Sequence, residues 1–244
     1  KKRMDLREFL AATDEAGYLL RCEAEADPYL EIARLALAND GRPMLFERVK
    51  GSPFRVVAGV CSDRRYFGLA LGVPADQVIF KLAEALAHPQ EPPVVEWGPC
   101  REVVMPGVDL EQIPFLTHYA EDGGAYASSA VAFINAPQTG RNASYHRLLR
   151  LGKDRMAARL VERRGTETAW RNSTDGIPVA ICIGLPLHVL LAASMAPTPG
   201  VDEMTIAQAL APTPMVELEN GIRVPADAEF VLEGRITKTL TDEG

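Results

Sequence analysis

Four prolines, Pro89, Pro92, Pro93 and Pro99, crowd into one short stretch. No regular helix or central strand can run through it, because each proline fixes φ and removes a backbone donor. A domain boundary is therefore expected near Pro99, dividing the 244 residues into 1–99 and 100–244. Before it, helical and strand signals alternate. Leu6, Phe9 and Leu10 recur at helical spacing, with Gly17 as a stop. Asp27 is expected to cap a second helix that takes Pro28 in its first turn and ends at Asn39-Asp40-Gly41. Strands are expected over 44–49 and 54–60, around Gly51-Ser52-Pro53, and helices over 62–71 and 75–87. After the boundary strands dominate, over 126–135, 141–151, 156–161, 178–184, 216–218, 222–224 and 228–236. Helices are expected at 187–193 and 202–210. The class that follows is α+β, an N-terminal α/β domain followed by a barrel-like domain.

Charge narrows the function. Lys plus Arg number 26 and Asp plus Glu 33, a net charge of −7. Such acidity opposes non-specific nucleic-acid binding, which needs a basic surface. No apolar run reaches the roughly 20 residues that span a bilayer, and the longest candidate, 177–193, is broken by Pro186 and His188. Cys22, Cys61, Cys100 and Cys182 are scattered, with no C-x-x-C pair, which points to a reducing, cytoplasmic setting. Lys1-Lys2-Arg3 has no apolar signal core behind it.

Nucleotide-loop, Rossmann and serine-hydrolase signatures are absent, as is any metal-ligand spacing among His88, His118, His146 and His188. The informative segment is Asn142-Ala143-Ser144-Tyr145-His146-Arg147. On a strand, Asn142, Ser144 and His146 share one face and Ala143, Tyr145 and Arg147 the other. Two readings are open: an edge strand with a solvated face, or a strand lining a polar cavity with an amide oxygen for a hard metal and a guanidinium for an anion.

The chain resembles the UbiD family of reversible decarboxylases, which use prenylated FMN. The resemblance is carried by Asp27-Pro28-Tyr29-Leu30-Glu31-Ile32, Leu45-Phe46-Glu47-Arg48-Val49-Lys50-Gly51 and Glu121-Asp122-Gly123-Gly124. It continues through Thr139-Gly140-Arg141-Asn142-Ala143-Ser144-Tyr145-His146-Arg147, Pro199-Gly200-Val201-Asp202-Glu203 and 224–234. It implies a split β-barrel flavin-binding domain in the second half. It also implies non-oxidative, reversible decarboxylation of an α,β-unsaturated or aromatic carboxylic acid. The implied cofactors are prenylated FMN, supplied by a flavin prenyltransferase, and Mn2+ or another divalent cation, with K+ as a further ion. A homo-oligomer, dimer or hexamer, is implied too.

By position, the resemblance makes Asn142 and Glu203 the metal ligands against the flavin phosphate; from the residues alone Glu203 reads first as a charge at a helix N-terminus. Ser144, His146, Arg147, Ser194 and Met195 fall where the family binds its cofactor, although a methionine also serves as core filling. Arg147 matches the arginine of a Glu-Arg-Glu network and Glu243 its first carboxylate. The second carboxylate, the family's proton donor, would follow Gly244, so the chain is expected to be a fragment lacking a C-terminal domain. A family histidine expected after 159–163 is replaced by Arg164-Gly165. A non-catalytic subunit of a multisubunit carboxylase and an FMN-dependent reductase stand as alternatives.

Overall fold

A computed structural model of the chain describes residues 3–138, 140–198 and 200–243. Lys1, Lys2, Thr139, Pro199 and Gly244, named above in the N-terminal, hairpin and motif readings, lie outside the described residues. The elements run α1 (Leu6–Glu15), β1 (Leu20–Ala26), α2 (Glu31–Ala38), β2 (Met44–Val49), β3 (Val56–Ala58), α3 (Arg64–Leu71), α4 (Val78–Ala87) and β4 (Val94–Val95). They continue with β5 (Val131–Ala136), β6 (Gly140–Tyr145), β7 (Arg147–Arg150), β8 (Met156–Arg159), α5 (Gly165–Asn172), β9 (Ile177–Ile183), α6 (Leu187–Ala193) and α7 (Glu203–Leu210). Strands β10 (Met215–Glu217), β11 (Arg223–Pro225) and β12 (Phe230–Ile236) complete the chain.

Near the N-terminus, β1 and β2 pair in parallel across α2, and β3 adds antiparallel to β2. Ile32 of α2 packs on Phe46 and Val49 beneath them. The expected cap at Asp27 is not formed. Its carboxylate instead accepts from the Tyr29 N–H at 2.8 Å and pairs with Lys50 at 2.7 Å. Leu30 takes φ 65°, and the helix begins only at Glu31. Tertiary bonding is the reason: Pro28 and Leu30 exchange backbone hydrogen bonds with Thr117, which holds 28–30 out of helical geometry.

The sheet that positions the candidate site has the order β12-β9-β5-β6. Strand alternation sends Val131, Phe133, Ala180 and Cys182 to one face, where they meet α6, α7 and residues of α4. Ala132, Ile134, Val179 and Ile181 go to the other, against Leu110, Ile113, Phe115 and Ala169 of α5. Both faces are thus buried, as the near-continuous apolar sequences of β5 and β9 require. β7 and β8 form a separate antiparallel pair. Among the described residues no sheet closes into a barrel.

The proline-rich stretch lies on the second half of the chain. β4 pairs with β10, Pro93 O accepts from Met215 N at 2.9 Å, and Cys100 N donates to Ala226 O at 3.0 Å. Gly98 is pressed so tightly there that an added Cβ would lie 2.5 Å from the Ala226 Cβ. Gly98→Ala is expected to cost about 1–3 kcal/mol, the usual penalty for overpacking against backbone. Urea unfolding checks this, and an unchanged midpoint would contradict the packing.

Candidate functional site

β6 is the outer strand of its sheet, so one row of its backbone groups needs partners from outside. One such donor, the Ala143 N–H, is taken by Glu203 Oε2 at 2.9 Å. Glu203 opens α7, whose N-cap is Asp202; the Asp202 Oδ1 accepts from Met204 N at 2.9 Å. A capping aspartate followed by a glutamate at the first helical position is a common helix start. Here the helix packs with its first turn against a strand, and Glu203 is left 8% exposed. Among the described residues no Arg or Lys pairs with it, and burial, reinforced by the neighbouring Asp202 charge, raises its pKa to about 7. A buried carboxylate lacking a counter-ion is expensive to ionise.

The other face of β6 looks toward α5. Asn142 Oδ1 rests on Gly165, where an added Cβ would fall 2.0 Å from it. Ser144 Oγ and His146 Nε2 stand 3.1 Å apart, and both reach Thr166 Oγ1, at 3.3 and 3.0 Å. His146 Nδ1 faces the Arg159 carbonyl at 3.3 Å. A carbonyl only accepts, so Nδ1 carries the proton and Nε2 is left as an acceptor for a hydroxyl. Burial lowers the His146 pKa, which keeps this ring neutral.

The alternation expected from sequence holds across β6: Ala143 enters the core beside α7, and Tyr145 donates to Leu190 O of α6 at 3.0 Å. It stops at His146, which lies between β6 and β7. Arg147 instead forks onto Glu243, Nη2 to Oε2 at 2.5 Å with Nε on Oε1, while Tyr126 OH donates to the Glu243 carbonyl at 2.9 Å. The guanidinium is 57% exposed and the carboxylate 13%.

The named residues therefore fall into three groups. Asn142, Ser144 and His146 share the α5-facing side, with Glu203 at the adjoining strand edge. Arg147 and Glu243 make a separate pair. Ser194 stands apart, its hydroxyl donating to Leu191 O at 2.7 Å to close α6, and Met195 packs on the main core. A small pocket beside β6 is lined by Arg141, Asn142, Asp202, Met204 and Arg223, among others; Glu203 and Arg147 are not in its lining. No group of three His, Cys, Asp or Glu suited to a metal occurs among the described residues. Thr166 and Tyr126 carry no site signal in the sequence, and Gly165 stands out there only as part of the Arg164-Gly165 pair; Gly165 and Thr166 sit on α5, where the sequence pattern predicts no helix.

Glu203 and Asn142 are donors of the kind a hard divalent cation takes: a buried carboxylate with which no Arg or Lys pairs among the described residues, and an amide oxygen one residue from the backbone group that holds it.

The Glu203 carboxyl, with a folded pKa near 7 against an ordinary 4.5, keeps its proton on folding. Its contribution is complete below about pH 4.5 and is lost as pH rises through about 7. Glu203→Gln retains an acceptor for Ala143 but cannot ionise. The variant should gain on the parent by up to about 3 kcal/mol between pH 5 and 8, in chain free of metal. A difference that does not change with pH would contradict the burial.

Comparison with known proteins completes the picture. The family model described as 3-octaprenyl-4-hydroxybenzoate carboxy-lyase Rift-related domain matches residues 93–244, and the N-terminal domain model of the same enzyme matches 10–86. Anhydromevalonate phosphate decarboxylase of Methanosarcina mazei is 36% identical over 247 residues, covering 99% of this chain and 57% of the relative. An evolved dimeric form of the UbiD-class enzyme HmfF from Pelotomaculum thermopropionicum, in complex with prFMN, superposes with a TM-score of 0.89 at 38% identity, over 96% of this chain and 57% of that one. The same enzyme in complex with FMN gives 0.89 and 38%, over 95% and 55%. The chain thus spans little more than half the length of these relatives. Among the described residues no helix is long and apolar enough to cross a membrane.

Proposed function

The chain belongs to the UbiD family, and from that premise we propose that it is the N-terminal part of a reversible, non-oxidative decarboxylase. Its substrate would be an α,β-unsaturated or aromatic carboxylic acid. Its cofactors would be prenylated FMN and a divalent cation such as Mn2+, with K+ as an accessory ion. The observation that carries this reading is the uncompensated Glu203 carboxylate held at the Ala143 N–H beside Asn142. The similarity to a solved UbiD-class enzyme in complex with prFMN supports the choice of flavin. The comparisons favour a decarboxylase over the non-catalytic subunit and the reductase.

In this reading Asn142 and Glu203 would hold the cation, which would supply positive charge to the flavin phosphate. Ser144 and His146 keep the α5-facing wall polar, and Ser194 and Met195, which stand apart from them at the end of α6, would border the cofactor only from that side. Prenylated FMN, when bound, supplies the electron sink for the pair left behind as carbon dioxide departs. Arg147 fixes Glu243 in a two-bond fork, and its exposed face offers a guanidinium for the substrate carboxylate. A carboxylic acid would return the proton that replaces carbon dioxide on the product. We further assign the split β-barrel to residues 100–244, a C-terminal domain to the remainder of the protein, a homo-oligomeric assembly and supply of cofactor by a flavin prenyltransferase. The matched residue ranges, 10–86 and 93–244, support a division between 86 and 93 instead of at Pro99.

Arg147→Ala in the full-length protein, reconstituted with prenylated FMN and Mn2+, should lower carbon dioxide release from a panel of unsaturated and aromatic acids by about 10²–10⁴-fold in kcat. Near-parental turnover would remove Arg147 from the catalytic machinery.

A further inference from the structure

Successive residues of β6 meet the start of α7 twice, on either side of Asn142. Arg141 Nε lies 3.0 Å from Asp202 Oδ2, and the Ala143 N–H donates to Glu203 Oε2 at 2.9 Å. The Asp202 side chain does two jobs, because its other oxygen caps α7 at Met204 N. The pair is largely withdrawn from water, with Arg141 29% and Asp202 12% exposed. Arg141 also reaches Glu91 at 2.5 Å, but that carboxylate is 57% exposed and is shared with Arg223 at 3.7 Å. Exposed ion pairs of that kind contribute little.

We propose that Arg141 is a positioning residue: through Asp202 it seats the first turn of α7 on the edge of β6, holding the Glu203 carboxylate beside Asn142 in the setting a divalent cation needs. This rests on the reading of Asn142 and Glu203 as the metal pair. Without the guanidinium, the Ala143 bond is the polar contact left between β6 and this end of α7 among the described residues. The Asp202 charge then stands unbalanced next to Glu203 in a poorly hydrated site, and like charges there push the two carboxylates apart. Partners that orient metal ligands commonly change affinity by 10- to 100-fold when removed.

The test uses the chain loaded with FMN and compares R141M, R141K and D202S with the parent. Serine at 202 keeps a side-chain oxygen for the helix cap but has no charge for Arg141. Two quantities are read: the Mn2+ dissociation constant, and the hydrogen-exchange protection of the Ala143 amide against that of β5 amides. R141M and D202S should weaken Mn2+ binding by about 10- to 100-fold. They should also lower Ala143 protection selectively, with R141K recovering part of both. Parental Mn2+ affinity in R141M and D202S would overturn the proposal, whether or not Ala143 protection falls. Failure of the parent itself to take up Mn2+ with FMN would instead overturn the metal reading, and the role of Arg141 with it.

Discussion

A carboxylate accepting a backbone N–H at a sheet edge, buried and paired with no Arg or Lys among the described residues, is the constraint around which the candidate site is organised. Ionised Glu203 is unfavourable where it stands, and its pKa near 7 records that cost. It stays there because α7 is held at its first turn by the Asp202 cap and along its length by Met204, Ile206, Ala207 and Leu210 in the main core. Apolar packing therefore fixes a polar group in a place it would not choose alone. Proteins tolerate such local conflict at functional sites, where a ligand resolves it.

The rest of the sheet serves the same end. Because β5 and β9 are covered on both faces, β6 cannot shift register against β5 without carrying Ala143 away from Phe133 and out of the core. That rigidity presents Asn142 to α5 and Ala143 to α7 from adjacent positions. The N-terminal part is joined to this scaffold by charge as well as by packing: Arg7 forks onto Glu229 at 2.7 and 2.8 Å, and Arg3 meets Asp227 at 2.6 Å. Leu71, Val78 and Ala85 complete the core that supports α6 and α7.

Much of this was legible in the residues. Leu187–Ala193 and the Asp202-led helix follow from apolar spacing and capping, and period-two alternation placed Asn142 and Ser144 opposite Ala143 and Tyr145. Other parts were not. β1 shows alternation too, Leu20, Cys22, Ala24 and Ala26 against Arg21, Glu23 and Glu25, but small residues on its apolar side weaken the signal. α5 begins with glycine and has little apolar content. Glu167 braces it locally, at the Arg163 N–H and at Arg171, and the tertiary bond from Trp170 Nε1 to Thr237 O anchors it, which no local pattern reveals. The Asp27 cap failed for the same reason, since Thr117 claims the backbone of 28–30. That Glu203 pairs with no arginine or lysine among the described residues depends on where those side chains end up, and only the folded chain shows it.

Electron paramagnetic resonance of Mn2+ bound to the chain in the presence of FMN tests the central claim most directly. A bound-metal spectrum with hyperfine coupling to the flavin phosphorus, present in the parent and lost in Glu203→Ala, is the expected result. A bound, phosphorus-coupled Mn2+ that survives in Glu203→Ala would show that the buried carboxylate is not what holds the ion, and would contradict the account.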